Sequence, residues 1–331
     1  MVLAHGIETE SEYLGVSRKG RGKGLHRKSR QKLWQIFSAY RSNLLSIGLR
    51  EPEDTMHEMA KRLEEQPCRY RSVIVDEAQD LPAAAMRLVR AIAPRGDSNN
   101  LMIVGDAHQR IFGRPLVLSH CGINIQGRSR RLRVNYRTPE EVRECAVGVL
   151  EGVPYDDLDG SCDTVKGYTS LMHGEDPVIN HYNSFQEEVD GILEYITELR
   201  CGDEWHRICL VARSNDLVSQ YKGALMMRSV PTFSIKSSRP DNLAKPGIRI
   251  GTMHRVKGLE FDHVIAASVT DEHLPSRKHM KAAAGAAGRA EFLRKERSLL
   301  YVVCTRARKT LLISSYDTPS PLIADLRRNI A

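Results

Sequence analysis

The sequence predicts an α/β protein built on two parallel sheets, and three observations lead there. Short apolar runs stand at Ser72–Val75, rich in β-branched residues, and at Leu101–Val104, and further strand candidates lie at Val178–Tyr182, Ile208–Ala212 and Ile248–Thr252. Continuous rather than alternating apolar character predicts strands buried on both faces. Stretches with apolar residues at helical spacing separate these runs, and strand–helix alternation marks parallel α/β folds. The alternation resumes after Arg137, so two sheets are expected, with the boundary near that residue. A hydrophobic share of 41% is enough for sizeable cores, and the length suits two domains of roughly 150 residues each.

Taken in order, residues 1–28 are expected to form a basic, unstructured arm. Residues 18–32 hold Arg18, Lys19, Arg21, Lys23, Arg27, Lys28, Arg30 and Lys32, with no acid among them. Such a stretch is either a phosphate-binding arm or a solvated tail, and the sequence leaves both readings open. Residues 29–137 form the first domain. Leu33, Ile36, Phe37, Tyr40, Leu44 and Leu45 recur at helical spacing and predict an amphipathic helix. A second helix is expected over residues 54–65, and a third over Pro82–Ile92, with proline in its first turn.

Residues 138–331 form the second domain. It opens with a helix over Pro139–Leu150, and residues 151–175, rich in Gly, Asp and Ser, read as a loop. Helices over Ser184–Leu199 and Asn215–Met227 lie on either side of the strand Ile208–Ala212. Val264–Ser268 and Thr310–Ser314 are further strand candidates. Lys278–Glu296, rich in Ala, Arg and Lys, is expected to be helical, facing either nucleic acid or solvent.

Composition narrows the function classes. The net charge is +8 and the pI about 9.1, which favours a polyanionic partner only weakly. No run of about 18 apolar residues occurs, so no transmembrane helix and no membrane partner are expected. The N-terminus lacks a basic region followed by an apolar stretch, so no signal peptide is expected and the expected location is cytoplasmic. Seven cysteines without a C-x-x-C pair argue for reduced thiols rather than a disulfide framework or zinc ribbon. The twelve histidines form no H-x-x-x-H or H-E-x-x-H pattern.

The sharpest chemical signal is Val73–Asp80, an apolar strand that ends in Asp76 and Glu77 within the string D-E-A-Q-D. Open α/β sheets bind ligands at the carboxyl ends of their strands. An Asp there suits Mg²⁺ on the β- and γ-phosphates of a nucleotide, and a neighbouring Glu suits the attacking water. Solvated acids at an ordinary strand end are the plain alternative. Gln109 follows a strand and a Gly-Asp turn, which lets its amide face the same cleft. Arg137 and Arg306 are read as lying at the edge of the second sheet, where a guanidinium fork suits phosphate oxygens. An isolated arginine is more often a surface ion-pair partner.

The string V-I-V-D-E-A-Q-D resembles the Walker B motif of UvrD/Rep-like superfamily 1 helicases, and the resemblance continues in order. Leu101–Phe112 resembles the family's glutamine-bearing motif, and Leu132–Arg137 its N-Y-R motif. Gly251–Phe261 resembles its T-x-H-x-x-K-G-L-E-F motif, and Leu300–Ala307 its closing Y-V-x-x-T-R-A motif. The likeness covers roughly residues 30–316, and five motifs in the family's order make it specific. It implies two RecA-like domains of the P-loop NTPase type, ATP and Mg²⁺ as cofactors, and single-stranded DNA as partner. It assigns Asp76 to the metal, and Gln109 to the γ-phosphate and to communication with DNA. Arg137 and Arg306 become arginine fingers supplied from the opposite domain. Glu260 is assigned to the nucleotide, at its ribose, and Thr252 and His254 to single-stranded DNA. Tyr136 either packs near the nucleotide or is structural, and has no catalytic assignment.

Two departures qualify these expectations. No G-x-x-x-x-G-K-[ST] phosphate cradle is present; in Gly20–Gly24, Lys23 is followed by Gly, with no apolar strand before it. The first RecA-like domain is therefore expected to be incomplete, lacking its central strand, with apolar surface left uncovered. The large helical insertion common in the family between Arg213 and Gly247 is reduced here to about 34 residues. The leading expectation is an ATP-dependent helicase or translocase, 3′ to 5′ by resemblance, truncated or completed by a chain that supplies the Walker A half. The alternative is an inactive remnant that binds nucleic acid or a partner. A nuclease-linked subunit is a weaker third reading, and no nuclease motif is visible.

Overall fold

The computed structural model describes residues 7, 9–15, 25–66, 70–94, 99–113, 116–156, 158, 162–163, 167–199, 204–236, 242, 244–283, 285–324 and 326. In chain order its elements are α1 (Glu10–Gly15), α2 (Arg27–Ser46), α3 (Pro52–Glu65), β1 (Val73–Val75), α4 (Ala83–Ile92), β2 (Leu101–Ile103), β3 (Val134–Asn135), α5 (Glu140–Leu150), β4 (Tyr155–Asp156), β5 (Cys162–Asp163), β6 (Thr169–Ser170), β7 (Val178–Tyr182), α6 (Phe185–Glu198), β8 (Ile208–Ala212), α7 (Asn215–Met227), β9 (Thr232–Ser234), β10 (Ile248–Thr252), β11 (Phe261–Ala266), α8 (Arg277–Ala282), α9 (Gly285–Cys304) and β12 (Ala307–Tyr316).

The chain divides into two compact units. One comprises Met1–Arg130, Pro154–Asp163 and Ala284–Gly288; the other Arg131–Val153, Thr164–Ala283 and Arg289–Ala331. The division thus falls before β3 rather than after Arg137. The reason is pairing: β3 aligns in parallel with β6, Val134 opposite Thr169, inside the second unit. The segment after α5 returns to the first unit because Leu158 is buried among its apolar side chains. Leu158 O also accepts the Leu118 N–H at 3.0 Å.

In the first unit, β1 and β2 pair in parallel, with Val73 opposite Leu101 and Val75 opposite Ile103. One face packs on Met86 of α4 and on Leu116, Leu118, Cys121 and Ile123. The other face carries Ile74 and Met102, 74% and 59% exposed, where the sequence predicted strands buried on both sides. The difference lies in the layers: helix α4 covers one face, and no described element covers the other. The expected unstructured arm also differs. Residues 10–15 are helical because Tyr13 is buried against α2, stacking on Trp34 with centroids 5.7 Å apart and meeting Phe37 edge-on. Six residues are too few for a periodic signal. Of the basic stretch, Arg18, Lys19, Arg21 and Lys23 lie outside the described residues, while Arg27, Lys28, Arg30 and Lys32 lie on α2.

The second unit holds a six-stranded sheet in the order β7-β12-β11-β8-β10-β9, parallel throughout. Ile208, Leu210, Ile248, Ile250, Ile265 and Leu312 face α6 and α7, which contribute Val189, Ile192, Leu217 and Leu225 to one core. Cys209, Val211, Val264, Ala266, Leu311 and Ile313 are equally buried, so both faces are covered as the unbroken apolar runs require. Ser184 and Ser214 cap α6 and α7, accepting from the Glu187 and Leu217 N–H groups. β11 begins three residues before the predicted Val264–Ser268 and ends two residues short of it, whereas β12 extends past Thr310–Ser314 at both ends. The helix expected over 278–296 is two helices, α8 and α9, and the second runs on to Cys304. Between Arg213 and Gly247 the described residues include α7 and β9, and the loop expected there falls partly on residues 237–241 and 243, which lie outside them. The buried Arg249 donates to the Asn242, Lys245 and Gly247 carbonyls. Among the described residues no helix is long and apolar enough to cross a membrane.

Candidate functional site

Asp76 and Glu77 leave the carboxyl end of β1, both exposed. Asp76 Oδ1 accepts the Glu77 N–H at 2.8 Å. Glu77 itself takes left-handed backbone angles, φ 52° and ψ 37°, and turns the chain into a short 3₁₀ segment, Ala78–Asp80. A non-glycine residue there costs about 1–2 kcal/mol. The parallel ladder continues past both strands, with Val104 N–H donating to Val75 O at 2.8 Å and Ala78 N–H to Val104 O at 3.0 Å. This brings the turn after β2 against the acids.

A hydrogen-bonded chain then joins the two predicted motifs. The Gln79 side chain, 1% exposed, donates through Nε2 to the Glu77 carboxylate and accepts the Asp106 N–H through Oε1 at 3.0 Å. Asp106 accepts from Gln109 Nε2 at 2.9 Å and from the His108 N–H at 2.9 Å. Burial alone would raise the Asp106 carboxyl, but His108 and Gln109 together hold it below its ordinary value. Sequence reasoning placed Glu77 and Gln109 at one site; it missed Gln79 and Asp106, which connect them. The signal available was Gly105. A Cβ there would lie 2.8 Å from Gln79 Oε1, so any side chain at this position would displace the bridging amide.

In the second unit Arg137 follows β3, not the large sheet, correcting the expected placement. The Asn135 side chain accepts the Arg137 and Thr138 N–H groups at 2.8 and 3.3 Å and shapes the turn that presents Tyr136, 72% exposed, and Arg137. Arg137 Nε lies 2.8 Å from Glu260 Oε1, so two of the predicted nucleotide residues are paired. Glu260 and Arg306 immediately precede β11 and β12, at the amino ends of two interior strands rather than at a sheet edge. Arg306 is 4% exposed; its guanidinium donates to Val302 O at 3.0 Å and to Thr305 Oγ1 at 3.2 Å, at the carboxyl end of α9. That helix end attracts a cation.

Thr252 and His254 lie at the opposite, carboxyl end of the same sheet, where β10 finishes. Both are half-buried. Burial foremost, with Arg213 and Arg255, holds the His254 imidazole below its ordinary value, while Glu296 opposes the shift. Arg213, which follows β8, donates through Nε and Nη2 to Glu296 of α9 at 2.9 and 2.7 Å. Neither Arg213 nor Glu296 was singled out in the sequence.

The acids fit a hydrated Mg²⁺ site. Asp76 Oδ2 has no partner among the described residues, and Mg²⁺ is commonly held by one or two carboxylates plus waters and phosphates. Among the described residues no cluster of three or more His, Cys, Asp or Glu side chains could by itself hold a metal ion.

Comparison with known proteins gives two domain matches, one in each half of the chain. Residues 12–114 match the UvrD/REP helicase N-terminal domain, and residues 234–318 match the UvrD-like helicase C-terminal domain. YjcD of Bacillus subtilis (strain 168), which carries the name of an ATP-dependent DNA helicase, is 29% identical over 136 residues, covering 40% of this chain and 17% of that protein. A protein of Mycoplasma pneumoniae named as a DNA helicase is 24% identical over 261 residues, covering 75% of this chain and 44% of the relative. The chain spans less than half the length of these curated relatives. A solved C-terminal domain of a DNA helicase from Lactobacillus plantarum WCFS1 aligns with a TM-score of 0.41 at 20% identity, covering 57% of this chain and 92% of that one. With both helicase domain models matched in order, the chain belongs to the UvrD/Rep-like superfamily 1 helicases.

Proposed function

We propose that this chain is part of an ATP-driven motor that moves along single-stranded DNA, 3′ to 5′ as the family resemblance implies. The observation that carries the reading is the bridge from Glu77 through Gln79 and Asp106 to Gln109. It ties the general-base candidate to the glutamine expected to sense the nucleotide, so a shift of one is felt by the other. Mg²⁺ held by Asp76 would neutralise charge on the phosphates. Glu77 then orients the attacking water and takes its proton, with Gln79 fixing the carboxylate. Arg137, with Glu260 steadying Nε, keeps terminal nitrogens that have no partner among the described residues and can offer them to phosphate. Arg306 serves the same end only after leaving Val302 O on α9 and Leu259 O.

The 331 residues contain no G-x-x-x-x-G-K-[ST] loop, so turnover requires a phosphate cradle from outside them, in a longer chain or a partner. That same absence favours the second reading, a catalytically inactive protein that binds nucleic acid or a partner. The deciding experiment is ATP hydrolysis by the purified chain, with and without single-stranded DNA, beside Glu77→Gln. The first reading expects little turnover alone, and DNA-stimulated turnover, lost in Glu77→Gln, once a Walker A-bearing segment is supplied. Turnover that stays at the control level in the completed assembly leaves the inactive reading standing.

A further inference from the structure

We propose that the Arg213–Glu296 ion pair is a positioning element for the nucleic-acid contact at His254, tethering that contact to the helix that leads to Arg306. The inference rests on the single-strand reading above and names two residues that reading does not use. Arg213 leaves the carboxyl end of β8, where β10 also delivers Thr252 and His254. Its fork grips both oxygens of Glu296, whose side chain is 3% exposed. Glu296 Oε2 also accepts the N–H of Ser276, the residue before α8, at 3.3 Å. One carboxylate therefore joins the end of β8, the start of α8 and the middle of α9. Such a pair is well placed to hold a geometry, because losing either partner strands a charge in a buried place. From Glu296 to Cys304 the helix rises about 12 Å, ending beside Arg306.

His254 lies in the field of both partners. Held uncharged at neutral pH, its ring offers a hydrogen bond rather than a charge, which suits a base edge or sugar. Arg255, exposed next to it, suits a phosphate.

The test is binding of fluorescein-labelled oligothymidylate to the full chain, followed by anisotropy across a salt series. Arg213→Met/Glu296→Met removes the pair while keeping apolar volume, a change that commonly preserves stability. We expect it to weaken binding about five- to tenfold, as His254→Ala does, and His254→Ala in that background to cost nothing further. Neither change should alter the salt slope, whereas Arg255→Ala should lower it by about one. Wild-type binding by the double variant, or a full additional loss from His254→Ala within it, overturns the proposal. A wild-type chain that binds no single strand refutes the underlying reading instead. The His254 Hε1 resonance then decides the positioning role: it shifts in Glu296→Gln if the pair sets the ring, and an unmoved resonance overturns the proposal.

Discussion

A methyl group at Gly105 perturbs the site of the first unit while leaving every charge in place. Its Cβ would lie 2.8 Å from Gln79 Oε1, 3.3 Å from Leu158 Cδ1 and 3.4 Å from Ala78 Cβ. The oxygen ends a flexible side chain, so the amide yields rather than the strand. That amide accepts the Asp106 N–H and donates to Glu77, and moving it forfeits both bonds. A neutral bond contributes about 1 kcal/mol and one to a charged group about 1.5–3, so the loss is about 2.5–4 kcal/mol. Urea unfolding of Gly105→Ala, Gln79→Ala and the double variant measures it, with the Gln79 side-chain amide resonance reporting the displacement. In the double variant the methyl meets no amide, so Gly105→Ala should add little to Gln79→Ala. An unmoved resonance with a cost below about 0.5 kcal/mol refutes the bridge as drawn.

Two further outcomes follow from the second unit. Burial raises the Glu188 carboxyl above its ordinary 4.5, and hydrogen bonds from Ser314, Tyr221 and the Ser268 N–H offset part of that rise. With the folded value above the unfolded one, its stabilising share is complete below pH 4.5 and is lost as pH rises through the folded value. Glu188→Gln can keep the Ser268 and Ser314 donors and donate to Tyr221, so urea titrations toward about pH 7 should show wild type losing stability relative to the variant; parallel curves count against this. Arg137→Ala breaks an ion pair whose side chains are 54% and 31% exposed, so stability should change by less than about 1 kcal/mol. Turnover in an assembly that includes the phosphate cradle should fall about a thousandfold. A larger stability loss with turnover retained would make Arg137 structural.

The second unit was the more legible of the two. Its central strand Ile208–Ala212 is an unbroken apolar run buried along its whole length, and helices α6 and α7 lie within a residue of their predicted spans. β3, β6 and β9 went unread, because strands of two or three residues leave no pattern to count. In the first unit the apolar run at β1 was visible but its exposure was not, since the same residues suit a strand covered on one face or on two. Asp76, Glu77 and Gln109 could be singled out because adjacent acids and an amide at strand ends are chemically unusual. Gln79 and Asp106 were passed over because a hydrogen bond across 27 residues leaves no local mark.

By itself the sequence determined the α/β class, the order of the motifs and the residue types at the site, all carried by local composition and periodicity. Which groups meet was decided by tertiary structure. The β1–β2 register brings Gln79 to Asp106, and a turn held by Asn135 aims Arg137 at Glu260. The connection from β10 to β11 crosses the sheet, so Thr252 and His254 stand at its carboxyl end and Glu260 at its amino end, though only a few residues separate them in the chain. Parallel strands require that crossing, since each must return to the starting edge before the next begins.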